Sequence, residues 1–226
     1  MIDILILHGI AKTIDADYYS PFITGIKKYL PSSCDVLFRP VDYSGLLEEK
    51  EDRIFGWMKD LPYHKITEFA SYYVADAIAY AHPKRPAGPG DFIYDVTKLL
   101  MTQMANIRGG KHVVIGHSLG SIVGFGVTFD VKVDCLITMG SPFFYYSPRF
   151  KNLGEMNPNL AQFHNFWKGH DKVCTGPISK NPTFAAVHDY EVKSWNPKYL
   201  LPVRAHSIYW SSDFVHRQIA KIIQGL

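Results

Sequence analysis

The sequence has few cysteines, little net charge and no long apolar run. Its three cysteines in 226 residues lack the spacing of metal ligands, and we expect Cys34 and Cys135 to be buried, reduced thiols. A formal charge of +3 without a dense stripe of Lys and Arg does not favour binding to nucleic acid. No stretch approaches the roughly 18 apolar residues that a membrane-spanning helix requires.

Signals of export and of metal binding are also missing from the sequence. Residues 1–7 enter a predicted strand at once, without the basic leader and cleavage site of a signal peptide. No cluster of His, Asp and Glu has the spacing of metal ligands, so neither a metal nor a cofactor is expected. We therefore expect a cytoplasmic protein without a transmembrane segment.

The composition that remains is typical of one globular domain. Apolar residues make up 47% of the chain and charged residues 20%, which excludes disorder as its main state. A chain of this length buries roughly 70–75% of its unfolded surface. Residues 1–226 are therefore expected to form a single domain.

Short apolar runs alternate with segments of helical periodicity. Residues 4–7 are all apolar, as in a strand buried on both faces of a parallel sheet. The alternation predicts an α/β fold with a mostly parallel central sheet of about six strands flanked by helices. Residues 44–90 hold more helix than one crossover needs, and they form either a small cap or an additional helical layer. The predicted strands are 4–7, 36–38, 113–115, 133–139, 162–167 and 186–192, and the predicted helices are 21–30, 47–61, 66–81, 91–107, 119–129 and 212–223.

The segment Gly-His-Ser-Leu-Gly at residues 116–120 is the most informative motif. It reads G-x-S-x-G between an apolar strand and an apolar helix, the context in which a sharp turn exposes a nucleophilic serine. The alternative interpretation is an ordinary surface turn rich in small residues. The motif predicts that Ser118 is a nucleophile.

A developing oxyanion next to Ser118 requires hydrogen-bond donors. The elbow geometry supplies the backbone N–H of Leu119, and a second donor should come from the loop after an early strand. That loop follows His8, where Gly9 permits a close turn, and we predict the Ile10 N–H as the donor. The His8 side chain is expected to brace the loop rather than act as a base.

The base that serves Ser118 should lie late in the chain, before the last helix. His206 is the best placed of the ten histidines. The alternatives are a solvated residue of the last helix (His216), a strand residue (His188) and the variable position of the elbow, which is expected to point away from attack (His117).

The acid that orients the base should follow a strand between the nucleophile and the base. Asp171 lies in the loop after the predicted strand 162–167 and is our choice. Asp189 is the main alternative, expected as a strand or edge carboxylate. Asp134 begins a strand directly after the helix of the nucleophile and fits the role less well.

These motifs resemble those of the α/β-hydrolase superfamily, in particular small lipases and esterases. The family orders its triad as Ser, Asp, His along the chain, as here. The strands that usually precede the first His-Gly strand are missing, which predicts a smaller sheet. The motifs that carry the resemblance are His8-Gly9, residues 116–120, Gly140-Ser141-Pro142, and the loops of Asp171 and His206.

Aromatic residues follow the Gly-Ser-Pro segment at the expected carboxyl edge of the sheet, where sites of α/β proteins open. Phe143 and Phe144 are candidates for an apolar wall that binds the substrate. Ordinary packing is an equally good interpretation, because aromatic residues make up 14% of the chain.

The predicted function is a serine hydrolase that cleaves a small or lipid-like carboxylic ester. Ser118, His206 and Asp171 would form its catalytic triad, and an acyl-enzyme would form on Ser118. The alternatives are an acyltransferase or a serine peptidase with the same triad, and a catalytically silent member of the fold that binds a ligand or partner.

Overall fold

The structure is a computed structural model that describes residues 1–9, 16–42, 92–105, 110–143, 159–194 and 202–226. The predicted helices 47–61 and 66–81 lie outside the described residues, as does the whole of the segment 44–90. The single-domain prediction for residues 1–226 therefore stays a prediction.

In the described part of the chain, six parallel strands form one sheet between layers of helices, which confirms the predicted fold class. Their order across the sheet is β2-β1-β3-β4-β5-β6. Every connection between neighbours must cross over a face of the sheet, because parallel strands cannot be joined by a tight hairpin. The strands are β1 (Ile2–Leu7), β2 (Val36–Val41), β3 (Lys111–His117), β4 (Val133–Met139), β5 (Leu160–Trp167) and β6 (His188–Glu191).

Helices cover both faces of the sheet. The α-helices of the described residues are α1 (Ser20–Lys27), α2 (Phe92–Ala105), α3 (Leu119–Val127), α4 (Pro202–Ser207) and α5 (Asp213–Gln224). Short 3₁₀ segments span Ala16–Tyr19, Ile178–Lys180, Pro182–Phe184 and Ile208–Trp210. Within the described ranges, no helix is both long and apolar enough to cross a membrane.

The alternation of side chains along β1 explains the two cores. Ile4 and Ile6 pack on one face with α1 and α5, whereas Leu5 and Leu7 pack on the other with α2 and α3. Successive residues of a strand point to opposite faces. Because helices cover β1 on both sides, its run at 4–7 is apolar at every position.

The edge strand β2 is longer than predicted and includes Pro40. Proline lacks the N–H that a sheet ladder needs, and it is tolerated here because β2 is the outermost strand of the sheet that the described residues form. Cys135 is a fully buried free thiol, as expected, whereas Cys34 is only half-buried.

The prediction of a solvated His216 is wrong. The residue is buried at the contact between α1 and α5, and its ring lies 5.4 Å from that of Phe22. A Cβ atom on Gly25 of α1 would come within 2.2 Å of Nδ1 of His216. The absence of a side chain at Gly25 lets the imidazole fill this space, which the apolar pattern of α5 alone does not reveal.

Candidate active site

The turn between β3 and α3 places Ser118 at the carboxyl edge of the sheet. Among the described residues, Ser118 is the one non-glycine residue with a positive φ, at 53° with ψ −124°. Such a conformation costs a residue with a side chain roughly 1–3 kcal/mol. A Cβ on Gly116 would lie 2.4 Å from the Gly120 carbonyl oxygen, and a Cβ on Gly120 would lie 2.3 Å from the His8 carbonyl oxygen, so neither flank of the turn has room for a side chain.

The loop after β1 lies directly against the Ser118 side chain. A Cβ on Gly9 would be 2.8 Å from Cβ and 3.2 Å from Oγ of Ser118. His8 is buried, its Nδ1 contacts the Gly9 carbonyl oxygen, and burial lowers the pKa of its imidazole. The predicted donor Ile10 lies outside the described residues.

His206 and Asp171 are brought together from positions 35 residues apart. Nδ1 of His206 lies 2.9 Å from Oδ2 and 3.0 Å from Oδ1 of Asp171. The carboxylate is fully buried, whereas the imidazole keeps 18% of its side-chain surface exposed. Because a carboxylate accepts, Nδ1 carries the hydrogen, and Nε2 is left as the basic nitrogen. His206 lies in the short helix α4 rather than in a loop.

The buried carboxylate of Asp171 has further donors. The Tyr209 hydroxyl donates to Oδ2 at 2.8 Å, and the backbone N–H groups of Val173 and Cys174 donate to Oδ1 at 3.0 and 3.2 Å. Burial alone would raise the pKa of Asp171. The hydrogen bond and charge of His206, with the donors from Tyr209 and Cys174, outweigh burial and lower that pKa. The carboxyl group therefore stays ionised.

Gly140 forms the floor on which these side chains rest. It follows β4 with φ +57°, in the left-handed region. A Cβ there would lie 2.8 Å from Tyr209 Cε2, 3.0 Å from Asp171 Oδ2 and 3.1 Å from His206 Cε1. Only a glycine lets all of these groups approach the end of β4.

Two buried serines connect the elbow to the Gly-Ser-Pro segment. The hydroxyls of Ser121 and Ser141 are 2.6 Å apart, and the Ser121 hydroxyl also contacts the Ser118 carbonyl oxygen. A carbonyl can only accept, so Ser121 donates to Ser118 and Ser141 donates to Ser121. This chain of hydrogen bonds fixes the first turn of α3 against the end of β4.

His117 lies beside His206 and does not point away from the site. The two ring centroids are 4.6 Å apart, and Nε2 of His117 is 2.8 Å from the backbone carbonyl oxygen of His206. Its side chain is buried. Burial and the neighbouring His206 lower the pKa of His117 to about 3.

Ser118 and His206 each contact the end of β4, and no direct hydrogen bond joins them. The Ser118 N–H donates to the Met139 carbonyl at 3.0 Å, and the next residue, Gly140, supports the His206 ring. Between Ser118 and His206, both within the described residues, no hydrogen bond forms. Contacts between nucleophile and base are often long in ligand-free enzymes.

The alternative candidates for the acid, and the alternative base His188, have partners other than the predicted triad residues. Asp189 accepts from the Asn165 side chain at 2.7 Å and from the backbone N–H groups of Ile178 and Ser179 at 2.9 and 2.8 Å. Asp134 accepts from the backbone N–H of His112 at 2.8 Å, at the amino end of the strands and far from the elbow. His188 is exposed on β6, and its ring stacks on His164.

The proposed aromatic wall is only partly described. Phe143 is fully buried in the core, with its ring 4.9 Å from Phe184, 5.1 Å from Phe125 and 5.8 Å from Phe163. These contacts favour the packing interpretation of this residue. Phe144 lies outside the described residues.

Sequence reasoning missed Tyr209 as a site residue, and its expectation that His117 points away from the site is wrong. Tyr209 follows His206 by three positions, which is close to one helical turn, so a helical interpretation of residues 202–210 would have placed both on one side. No local signal identifies the contact of His117, because its partner lies 89 residues away.

A comparison with solved structures agrees with this architecture. No family model and no curated protein matches the sequence. The structure is similar to that of a protein from Xanthomonas campestris pv. campestris assigned to the alpha/beta superfamily of hydrolases. The TM-score is 0.55 at 14% sequence identity, and the alignment covers 99% of this chain and 99% of that chain. The chain therefore has the α/β-hydrolase fold.

Proposed function

We propose that this protein is a serine hydrolase that cleaves a carboxylic ester through an acyl-enzyme on Ser118. The observation that carries the proposal is the strained backbone of Ser118 at the same sheet edge as a buried Asp171 paired with His206. A fold has no need of a positive φ at a serine, since glycine would adopt it without strain. Strain retained at a serine beside such a pair supports a catalytic role.

The proposed mechanism follows from the hydrogen on Nδ1 of His206, which leaves Nε2 free to accept a proton. Oγ of Ser118 attacks the ester carbonyl while Nε2 of His206 accepts its proton, and Asp171 stabilises the resulting imidazolium. The imidazolium returns the proton to the leaving alcohol as the C–O bond breaks. Water then attacks the acyl-enzyme with His206 again as base, which releases the acid and restores Ser118.

The oxyanion of each tetrahedral intermediate requires fixed donors. The Leu119 N–H lies at the first position of α3, where backbone N–H groups have no partner within the helix. The proposed second donor is the Ile10 N–H, one residue after Gly9. The close approach of Gly9 to Ser118 supports this choice.

A fluorophosphonate probe tests the proposal without a guess at the substrate. We expect covalent labelling of the natural chain, none of Ser118→Ala, and none of His206→Ala. The same variants are assayed on p-nitrophenyl esters, where Ser118→Ala should lose up to about 10⁶-fold in turnover. Asp171→Asn should retain weak activity.

Circular dichroism of each variant establishes that the loss is not one of folding. Retained turnover in a pure Ser118→Ala preparation would contradict the assignment of the nucleophile. Labelling of Ser118 without turnover of any ester would favour acyl transfer or peptide cleavage, which amide substrates and added alcohols would then distinguish.

A further inference from the structure

His117 is the chain neighbour of the proposed nucleophile and contacts the proposed base. It directly precedes Ser118 in the chain, and it is the last residue of β3. Its Nε2 lies 2.8 Å from the carbonyl oxygen of His206, and its ring lies 4.6 Å from the His206 ring at an interplanar angle of 36°. Tyr209 and Trp210 pack around the same imidazole, with ring centroids at 5.8 and 5.1 Å.

The protonation of His117 follows from its partner. A carbonyl oxygen only accepts, so Nε2 carries the hydrogen and donates it. The ring is buried, and burial together with the adjacent His206 lowers its pKa to about 3. His117 is therefore a neutral donor with one fixed tautomer throughout the pH range in which a histidine base works.

The hydrogen bond from His117 restrains the backbone of His206, whereas Asp171 restrains only its ring. Asp171 fixes the ring of His206 at Nδ1, but the backbone that carries this ring belongs to α4, a helix of only six residues. The His117 bond attaches that backbone to β3, which is paired on both sides, with β1 and with β4. It thus joins the base to the strand that ends at the nucleophile.

We propose that His117 is a positioning residue that holds His206 in register with Ser118, an inference that rests on the proposed function. It donates a hydrogen bond to the backbone of the base and packs against its ring. During attack, the proton of the Ser118 hydroxyl passes to Nε2 of His206, and the imidazolium forms beside a neutral ring. A neutral His117 adds no repulsion to that charge, whereas a protonated one would.

Two substitutions separate the hydrogen bond from the ring packing. His117→Phe keeps an aromatic ring but has no donor, and His117→Gln keeps a side-chain N–H donor but has no ring. We expect kcat of His117→Phe on p-nitrophenyl butyrate to fall about 10–100-fold with KM changed less than about threefold, because small misplacements of catalytic groups are costly. His117→Gln should recover most of that loss.

A purely structural role would give a different pattern. Both variants would then lower the melting temperature and leave the kcat of the folded fraction unchanged. A folded His117→Phe with kcat within twofold of the natural chain would overturn the inference, as would a Gln variant as slow as the Phe variant.

The natural chain and Ser118→Ala, measured alongside, separate this inference from the proposed function. Turnover that depends on Ser118 but not on His117 would contradict the inference alone. Absence of Ser118-dependent turnover would contradict both. If His117→Phe does not fold, the Gln variant decides: it must fold and keep kcat within about fivefold of the natural chain, or the inference fails.

Discussion

Tyr209 donates its phenolic hydrogen to Oδ2 of Asp171 at 2.8 Å, the oxygen that also lies 2.9 Å from Nδ1 of His206. Tyr209 is fully buried, and burial together with Cys174 and Asp171 raises its pKa well above the usual range, so it remains a donor. The tyrosine and the histidine lie three positions apart and share one acceptor. The segment 206–209 is thereby attached to the carboxylate at both ends.

Tyr209→Phe should weaken this attachment and change the pH dependence of catalysis. Hydrogen bonds to charged groups contribute about 1.5–3 kcal/mol, and the free energy of unfolding should fall by that amount. A carboxylate with one donor fewer attracts the imidazole proton more strongly. The rising limb of the pH profile of kcat/KM should therefore move to higher pH, with a loss of about tenfold at neutral pH.

Tyr18→Phe is the matched control, because Tyr18 is 50% exposed and its ring contacts with Tyr19 and Trp210 do not need its hydroxyl. We expect stability and pH profile to be unchanged in that variant. An unmoved pH limb in a folded Tyr209→Phe would show that the tyrosine contributes to packing alone.

Gly140→Ala should damage both stability and catalysis. The positive φ costs a side chain about 1–2 kcal/mol, and overpacking adds about 1–3 kcal/mol. The new methyl group would press on Tyr209, Asp171 and His206, which lie 2.8–3.1 Å from its position. We expect unfolding to become easier by about 2–5 kcal/mol in urea titrations, and kcat of the folded protein to fall at least about 100-fold.

Gly176→Ala isolates the effect of the backbone conformation. Gly176 also has a positive φ, +95°, but a Cβ there meets nothing within 4 Å. The free energy of unfolding of this variant should fall only by the cost of a positive φ for a side chain, and its activity should be unchanged. Equal losses of stability in the two variants, with activity retained in both, would contradict the role of Gly140 as the floor of the site.

The parallel sheet could be predicted from the sequence because its signals are local. The apolar runs in β1, β3 and β4 each predict a strand that is covered on both faces. The G-x-S-x-G motif is recognisable because a strand precedes it and a helix follows it. The Asp171 loop is a candidate because of its position after a predicted strand. Chain order alone was enough to nominate it.

Contacts between distant segments were not predictable in the same way. The bond from His117 to His206 spans 89 residues, and that from Tyr209 to Asp171 spans 38. Neither leaves a trace in the periodicity of either segment. His216 shows the same limit, because its burial depends on a glycine in another helix. The local sequence pattern predicts helices and strands, but the way these elements pack determines which polar side chains form contacts.

Ser118→Gly and Ser118→Ala should differ in stability although both lose activity. Alanine keeps the strain of φ 53° and ψ −124°, whereas glycine adopts this conformation freely. Glycine costs about 0.5–1 kcal/mol more chain entropy, which is less than the strain of roughly 1–3 kcal/mol. Unfolding in urea should therefore show Ser118→Gly to be the more stable by about 1 kcal/mol. The reverse order would mean that the elbow is not strained in solution.

Acid should destabilise the natural chain more than His117→Gln. The pKa of His117 is about 3 in the folded state, and an unfolded histidine has a pKa near 6.5. Between these values the unfolded state binds a proton that the folded state does not. The contribution of neutral His117 to stability is therefore full above about pH 6.5 and decreases by about 1.4 kcal/mol for each pH unit below it.

Urea unfolding at pH 8, 6 and 4.5 measures this contribution. Glutamine does not titrate, and the other buried histidines with lowered pKa values, His8, His164 and His216, are present in both proteins. Their effects cancel in the difference between the two chains. From pH 8 to pH 4.5 the natural chain should lose about 2–3 kcal/mol more than His117→Gln. Parallel curves would show that His117 is accessible to protons in the folded protein, and hence that it does not act as the buried neutral donor to His206.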